Sequence, residues 1–445
     1  MNKKHFIPVV LIFILCNNQY FAQAQIYNLN HCLTTGLEKN FDIRIVKNQQ
    51  TISDNNAIPG NAGYLPTIDA VANYAGDWAN FLRQYPSDGT PQKDYNNLLD
   101  QQLDAGVYLN WTIFDGLRIQ TNYKKLKELQ EIGRLNTQLA IENLLSQICS
   151  QYYNFVQQNI RLHYLESAVG LSRERLRIVE AQYEIGAMSR LDFHQTKVDF
   201  NADSSRLVQQ HETLFASAVS LRQLLNDTNM EESLSPADTA ISLKNLPSKE
   251  ILLQNMLQNN VFLSLSEKEI SLNTLEIKNL QSENYPYIRL NAGYAYTFNR
   301  YAMATYRKEH SFDLTYGITL GIRIFDGMNR NRQLSNAKIA LQTQKLEYDN
   351  LVLSVKSDFA KIWMAYNNNL TLIEMENDNL SIAQETYDIA IDRYKLGNLS
   401  GLELREAQNS LLEAEERYLQ AVYNTKLCEI SLLQISGQIK EYLKE

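Results

Sequence analysis

The chain has 445 residues, and its formal net charge of −8 comes without a basic patch, which argues against a nucleic-acid partner. Proline is scarce, at 8 residues, and glycine is modest, at 17, so the composition is compatible with long uninterrupted helices. Beyond the first 24 residues no run of about 18 apolar residues occurs, so the sequence predicts no helix that crosses a membrane.

The first 24 residues are typical of a cleaved export signal. Lys3 and Lys4 give a basic start, residues 6–16 form an apolar run, and residues 22–24 (Ala-Gln-Ala) match a small-residue cleavage site. The apolar run is shorter than the ~20 residues that a membrane-spanning helix needs. We therefore expect this segment to be removed on export. Cys16 leaves open the alternative of a lipoprotein signal.

A short pattern occurs twice in the chain, 211 residues apart. Phe114-Asp115-Gly116 is followed by Gly186 after seventy residues, and Phe325-Asp326-Gly327 is followed by Gly397 at the same interval. In both copies the triplet ends a strand-like run, and the later glycine interrupts a long heptad pattern. Such regularity indicates that one structural unit is used twice.

The two copies divide the chain into repeats with the same order of elements. The first repeat covers residues 25–225, the second covers residues 249–445, and a polar linker over residues 226–248 joins them. Each repeat begins with helical patterns that run into a proline, which favours a switch to extended chain. A β-hairpin follows, at about residues 66–114 in the first repeat and about 286–325 in the second.

The predicted hairpins alternate apolar residues with small or polar ones. This period-2 pattern, with aromatic residues near the strand ends, is typical of a membrane β-barrel with a wet interior. A soluble antiparallel sheet with one buried face would give the same alternation and is the alternative. Four strands cannot close a barrel, and open strand edges are not tolerated in lipid. The sequence therefore predicts that several copies of the chain share one barrel.

Long helices are expected after each hairpin. No proline occurs in residues 116–186 or 327–397, so each stretch can form one helix of about 100 Å at 1.5 Å per residue. Apolar residues recur every seven positions toward the far end of both stretches, and the chain then reverses at residues 186–189 and 397–400. A seven-residue repeat predicts antiparallel coiled helices, which at this length project from the rest of the fold.

The same signature, Tyr-x-x-Gly-x-x-Ser, stands at both reversals. Gly186 and Gly397 can adopt the positive φ of a helix C-terminus, and Ser189 and Ser400 can cap the helix that follows. Turn formation alone would account for these four residues. They can also form a contact surface for a partner.

On its duplication, its two Phe-Asp-Gly triplets and its two turn signatures, the chain resembles the TolC-like outer membrane efflux protein family over essentially all residues after the signal. The resemblance implies a mostly α protein with a membrane β-barrel, in which the triplets form the strand-to-helix junctions. Three copies would contribute four strands each to a twelve-stranded barrel, which continues into a long periplasmic α-helical barrel. It also implies that Gly186, Ser189, Gly397 and Ser400 contact a periplasmic adaptor.

Acidic residues lie just beyond each turn: Asp192 in the first repeat, Glu403 and Glu406 in the second. In the family, acids at the latter two positions ring the closed entrance of the tunnel, so the resemblance implies a periplasmic gate formed by these residues. Carboxylates on a threefold axis would attract cations and repel anions. The alternative is that first-turn acids only complement the helix dipole, and for Asp192 this is the preferred interpretation.

No catalytic constellation is recognisable. The histidines and the three cysteines after the signal lack metal-ligand spacing, and no phosphate-binding loop occurs. We therefore expect no enzyme activity, no cofactor and no metal. The resemblance implies a homotrimeric exit duct of a tripartite efflux pump, working with a periplasmic adaptor and an inner-membrane pump in the outer membrane of a Gram-negative bacterium. A type I protein secretion channel and an exported coiled-coil structural protein are the alternatives.

Overall fold

The computed structural model describes residues 25–83, 93–231 and 234–444. The expected export signal, residues 1–24, lies outside these described residues. The protein is 68% helical. Among the described residues, no helix combines the length and the apolar character needed to cross a membrane.

The first repeat runs from short helices through a β-hairpin into a pair of long helices. Its elements are β1 (Gln25–Tyr27), α1 (Leu29–Lys39), α2 (Phe41–Asn56), α3 (Pro59–Ala62), β2 (Thr67–Arg83), β3 (Lys93–Asp115), α4 (Arg118–Glu184) and α5 (Arg190–Leu225).

The second repeat follows the same order after a short strand in the linker. Its elements are β4 (Leu234–Pro236), α6 (Lys249–Asn259), α7 (Val261–Ser282), β5 (Tyr287–Arg300), β6 (Lys308–Gly321), α8 (Asn329–Lys395), α9 (Gly401–Ile435) and a final 3₁₀ helix (Ile439–Lys444).

Two buried asparagines join the short helices to the long ones. The Asn40 side-chain oxygen accepts hydrogen bonds from the first backbone N–H groups of α2, while its amide donates to the Leu224 carbonyl at the end of α5, at 2.9 Å. Asn260 does the same for α7 and donates to the Ile435 carbonyl of α9 at 3.0 Å. Each asparagine thus caps one helix N-terminus and satisfies one otherwise unpaired carbonyl at a helix C-terminus.

Strands β2, β3, β5 and β6 form one antiparallel sheet in that order, so β2 and β6 are its free edges. Its two faces differ in polarity. On one face Leu290 lies opposite Ile318, and on the other Asn291 lies opposite Gly317. Ile318 is 72% exposed. The sheet therefore presents an apolar face that the described part of the chain leaves uncovered.

Helices α4 and α8 each have 67 residues, which corresponds to about 100 Å. Each packs antiparallel against the shorter helix that follows it, and α9 also packs against α4. Heptad positions lie in these seams: Phe155 and Leu162 are buried in α4, and Tyr387 is buried in α8. The two hairpins of the chain therefore lie side by side along their length.

The structure differs from the sequence expectation in two places. β6 ends at Gly321, so Ile322 and Ile324, which continue the apolar alternation, lie outside the strand. Gly321 pairs with Tyr287, the first residue of β5, and β5 offers no backbone beyond it. In the linker, which was expected to be irregular, residues 234–236 pair in parallel with residues 25–27.

Candidate functional site

Both Phe-Asp-Gly triplets lie where the sheet meets a long helix, and both glycines start a bend of two left-handed residues. Gly116 has φ +72° and Leu117 has φ +73°; the second repeat repeats this at Gly327 and Met328. The aspartate before each glycine caps the helix that follows. The Asp115 carboxylate accepts from the Ile119 backbone N–H at 3.1 Å, and its counterpart in the second repeat makes the equivalent bond at 3.0 Å.

The two junctions differ in their surroundings. Phe114 lies within β3 and is half-buried, whereas Phe325 lies beyond β6 and is 72% exposed. Gly116 is enclosed by Ser282 and Tyr285, so that a Cβ added there would collide with the Ser282 carbonyl oxygen. Both junction aspartates also accept from an arginine side chain: Asp326 from Arg330 at 3.1 Å and Asp115 from Arg118 at 3.4 Å.

The two helix reversals have the same backbone geometry. Gly186 has φ +78° and donates to the Tyr183 carbonyl at 3.0 Å, while Ala187 donates to the Gln182 carbonyl at 2.8 Å. Gly397 has φ +76° and the same two bonds follow around it. This pair of bonds is the Schellman motif, in which glycine supplies the left-handed residue without strain.

Both serines cap the next helix, and each does so together with the acid three residues later. The Ser189 hydroxyl oxygen accepts from the Asp192 backbone N–H at 3.1 Å and donates to the Asp192 carboxylate at 2.6 Å. Ser400 and Glu403 form a complete capping box, in which the Glu403 carboxylate also accepts the Ser400 backbone N–H at 2.9 Å. Asp192 and Glu403 are therefore counterparts, 211 residues apart.

Capping changes the chemistry of one candidate gate acid. Hydrogen bonds from the Ser400 backbone N–H and hydroxyl lower the pKa of Glu403, so its carboxylate is ionised at neutral pH. Glu406 is exposed one turn further along α9. The helix N-terminus thus presents two acids with different surroundings: one tied to the cap and one extending into solvent.

Exposed apolar side chains flank each turn, a feature that our sequence reasoning missed. Ile185 and Leu191 are 80% and 76% exposed, and their counterparts Leu396 and Leu402 are 75% and 79% exposed. The recurrence of an apolar pair six residues apart, at the same offset as the glycines, could have identified them. Four bulky apolar residues in water at the tip are typical of a docking surface.

A polar hub links the two hairpins, about one turn beyond the cap of α9 and about four turns beyond the cap of α5; we define it as Ser172, Asp203, Arg405 and Gln408. The Arg405 guanidinium donates two hydrogen bonds to the Asp203 carboxylate, at 2.6 and 2.8 Å. Ser172 also donates to Asp203, and Gln408 donates to Ser172 at 3.0 Å. The hub thus joins α4, α5 and α9.

The hub is buried and fully ionised. Asp203 is 2% exposed and Gln408 5%. Burial alone would raise the pKa of Asp203, but hydrogen bonds from Arg405 and Ser172 and the Arg405 charge outweigh it, so this pKa lies below its usual range. Its residues are up to 236 positions apart, and no local pattern in the sequence indicates that they meet.

These features together define the class of protein. A sheet with an uncovered apolar face and two free edges, joined by capped bends to helical hairpins of about 100 Å, is the fold of a TolC-like outer-membrane channel. The chain belongs to the outer membrane efflux protein family, whose model matches residues 35–227 and 252–438. The two matched segments correspond to the two repeats.

Individual relatives are distant in sequence and close in fold. The outer membrane efflux protein BepC of Brucella suis biovar 1 is 20% identical over 388 residues, which cover 87% of this chain and 80% of BepC. The outer-membrane channel OprN superposes with a TM-score of 0.76 at 17% identity, over 92% of this chain and 90% of OprN. The Campylobacter jejuni CmeC outer membrane channel gives 0.76 at 16% identity, over 92% and 85%. The expected TolC-like fold of the chain is thereby confirmed, while the trimer and the twelve-stranded barrel stay predictions.

Proposed function

We propose that three copies of this chain form an outer-membrane exit duct that passively conducts substrates delivered by an inner-membrane pump and a periplasmic adaptor. The observation that carries the proposal is the continuity of the sheet with the long hairpins through the two capped bends. Membership of the efflux family and the likeness to outer-membrane channels support it. The duct carries out no chemistry of its own, and the pump supplies the energy.

The sheet supports the membrane part of the proposal. Its apolar face carries large exposed side chains on β6, among them Tyr316 at 84% and Leu320 at 71%. Lipid is the environment that makes such exposure favourable, while the polar face suits a wet interior. Strand edges are not tolerated in lipid, so β6 of one copy would pair with β2 of the next. Three four-stranded sheets give the twelve strands expected for the family.

The long helices offer a second surface for another copy. Along α8, large apolar residues remain exposed at seven-residue spacing: Met375 at 58%, Ile382 at 63% and Ile389 at 49%. A heptad stripe of this kind is the seam of a helical coil that lacks its partner. The long helices pack in the order α5, α4, α9, α8, so α5 and α8 are the outer two. Helix α8 of one copy would therefore pack against α5 of the next.

The hairpin tips suit the periplasmic end of the duct. We assign Gly186, Ser189, Gly397 and Ser400 to the docking turns, with the exposed apolar pairs beside them as the contact area for the adaptor. Asp192, Glu403 and Glu406 would lie near the entrance. Of these, Glu406 is the most direct gate candidate because the carboxylates of Asp192 and Glu403 take part in helix caps.

Planar-bilayer recording tests the duct and its gate. The purified protein should behave as a trimer and form cation-preferring channels, and the double variant E403Q/E406Q should raise single-channel conductance and weaken block by divalent cations. E413Q, which neutralises an exposed glutamate farther along α9, is the matched control. A soluble elongated dimer without conductance would refute the duct, whereas unchanged conductance in E403Q/E406Q would refute only the gate.

Site-directed crosslinking tests the docking assignment. Cysteines placed at Ala187 and Asn398, both exposed in the turns, should form adducts with the periplasmic adaptor. A cysteine at Glu374, exposed along α8 and outside the apolar stripe, is the control and should not react. Adducts at Glu374 with none at the turns would place the adaptor elsewhere.

A further inference from the structure

We propose that Asp203 determines the charge selectivity of the entrance by masking Arg405, that is, by pairing with its guanidinium and neutralising its charge. Glu403 and Glu406 then act without a neighbouring positive charge. The inference rests on the proposed duct and deepens it. Asp203 is a specificity-determining residue that acts through Arg405. Glu403, Arg405 and Glu406 lie within the first two turns of α9, whereas Asp203 belongs to the other hairpin.

The geometry of the pair supports masking. Arg405 has a side-chain exposure of 13%, although α9 is otherwise open to solvent at Glu403 and Glu406. Both terminal nitrogens of its guanidinium bind both carboxylate oxygens of Asp203, at 2.6 and 2.8 Å. This two-bond arrangement is the strongest form of an arginine–carboxylate contact, and it directs the guanidinium away from water.

The surrounding groups hold Asp203 as the acceptor. Ser172 donates to its carboxylate, and Arg206 lies 3.9 Å from it with its own side chain exposed. The other nearby carboxylate, Asp199, is bound by the buried Arg175 of α4. Asp203 is therefore the acid that pairs with Arg405, while Asp199 pairs with Arg175.

Comparison of the two repeats shows that the pair is not a general feature of the hairpin. The position 211 residues before Arg405 is His194, and the position 211 residues after Asp203 is Ala414. The start of α5 has a single acid, Asp192, where the start of α9 has two. At this position of the repeat, the arginine thus occurs only in the copy whose helix start carries a second acid.

Loss of Asp203 would release a positive charge at the entrance. An unpaired buried guanidinium is costly, so Arg405 would turn toward water. The charge of the first two turns of α9 would then change from −2 to −1 in each copy. For three copies and charges about 10 Å from a passing ion, Coulomb energies in water with and without salt screening hinder cations and favour anions by about two- to eight-fold each, so the cation-to-anion ratio falls about five- to sixty-fold.

The test measures the ratio of potassium to chloride permeability from reversal potentials of trimers in planar bilayers. Asp203→Asn should lower the ratio about five- to sixty-fold, and D203N/R405Q should restore it because the released charge is gone. Arg405→Gln alone should leave the ratio within about two-fold of wild type. Glu212→Gln, an equal charge change at an exposed site on α5, is the control.

Three results would overturn the inference: an unchanged ratio in D203N, a double variant as low as D203N, or a rise of two-fold or more in R405Q. The second would mean that loosening of the hub, and not charge, lowers selectivity. If D203N fails to assemble, R405Q alone is the test. If the Arg405 charge acted on passing ions in the wild type, its removal in R405Q would raise the permeability ratio, and that rise would refute masking. Wild-type protein without conductance would instead refute the proposed duct.

Discussion

The two junction glycines allow a direct test of how backbone strain and crowding add. Gly116 and Gly327 have nearly equal φ, +72° and +69°, at the same position of the repeat. A Cβ at Gly116 would press on the Ser282 carbonyl oxygen and lie 2.8 Å from Tyr285 Cβ, whereas at Gly327 the nearest atom is 3.6 Å away. Alanine at both positions therefore separates the two costs.

The magnitude follows from these contacts. Left-handed backbone costs alanine about 1–2 kcal/mol, and this is the whole cost expected for G327A. At Gly116 the carbonyl belongs to the last turn of α7 and cannot move aside as a flexible side chain would. Overpacking of this kind adds about 1–3 kcal/mol, so G116A should cost about 2–5 kcal/mol in total.

Thermal unfolding followed by circular dichroism in detergent would rank the variants. We expect the midpoint to fall in the order wild type, G327A, G116A. Unfolding of a membrane trimer is operationally a rate, so the order of the variants at one scan rate is the relevant result. Equal midpoints for the two variants, or a lower one for G327A, would refute the assignment of the added cost to Ser282 and Tyr285.

Four further outcomes are expected. Lys426→Met should destabilise the protein by about 3–5 kcal/mol because it removes the ammonium group that binds the buried Glu429 carboxylate at 2.7 Å and leaves that carboxylate with hydrogen bonds from the Lys244 backbone N–H and the Tyr442 hydroxyl; K426M/E429L should lose less in the same melts. Ser400→Ala should increase hydrogen exchange in the first turn of α9, by about 1 kcal/mol of lost protection. In the wild type, the Glu403 part of this cap is present above its ordinary pKa of 4.5 and is lost as the pH falls through the lower folded-state pKa, so protection should decrease there. Ile382→Asp should shift trimers to monomers in native mass spectrometry without loss of helicity; intact trimers would contradict the proposed seam.

Short sequence patterns were sufficient to predict the fold, because residues close together in the chain specify most of its elements. A heptad pattern and the absence of proline indicate the long helices, and glycine followed by serine indicates the turn and its cap. Serine and glutamate three residues apart also signal a capping box, so the contact of Ser400 with Glu403 could have been read from the sequence. That contact changes the role of Glu403 from a free gate acid to a capped one.

The remaining features depend on residues far apart in the chain. Asp203 and Arg405 are separated by 202 positions, and the sequence around either residue does not indicate that the two are in contact. The parallel pairing of β1 with β4 is equally invisible, since three residues are too few to show alternation. β6 ends at Gly321 because β5 has no further backbone to pair with it, although the apolar alternation of the sequence continues beyond Gly321. Pairing thus determines where a strand ends.

Asn40 and Asn260 give the hairpins a mechanical property. Each fixes the base of a hairpin by holding a carbonyl at the end of α5 or α9, while toward the turns the hub joins the two hairpins to each other. Helix α5 spans 36 residues, about 54 Å, between that base and its turn. A rotation of about 5° at the base therefore moves the tip by about 5 Å, and because the hub joins the hairpins they act as one lever that converts a small angular change into a wide displacement of both turns.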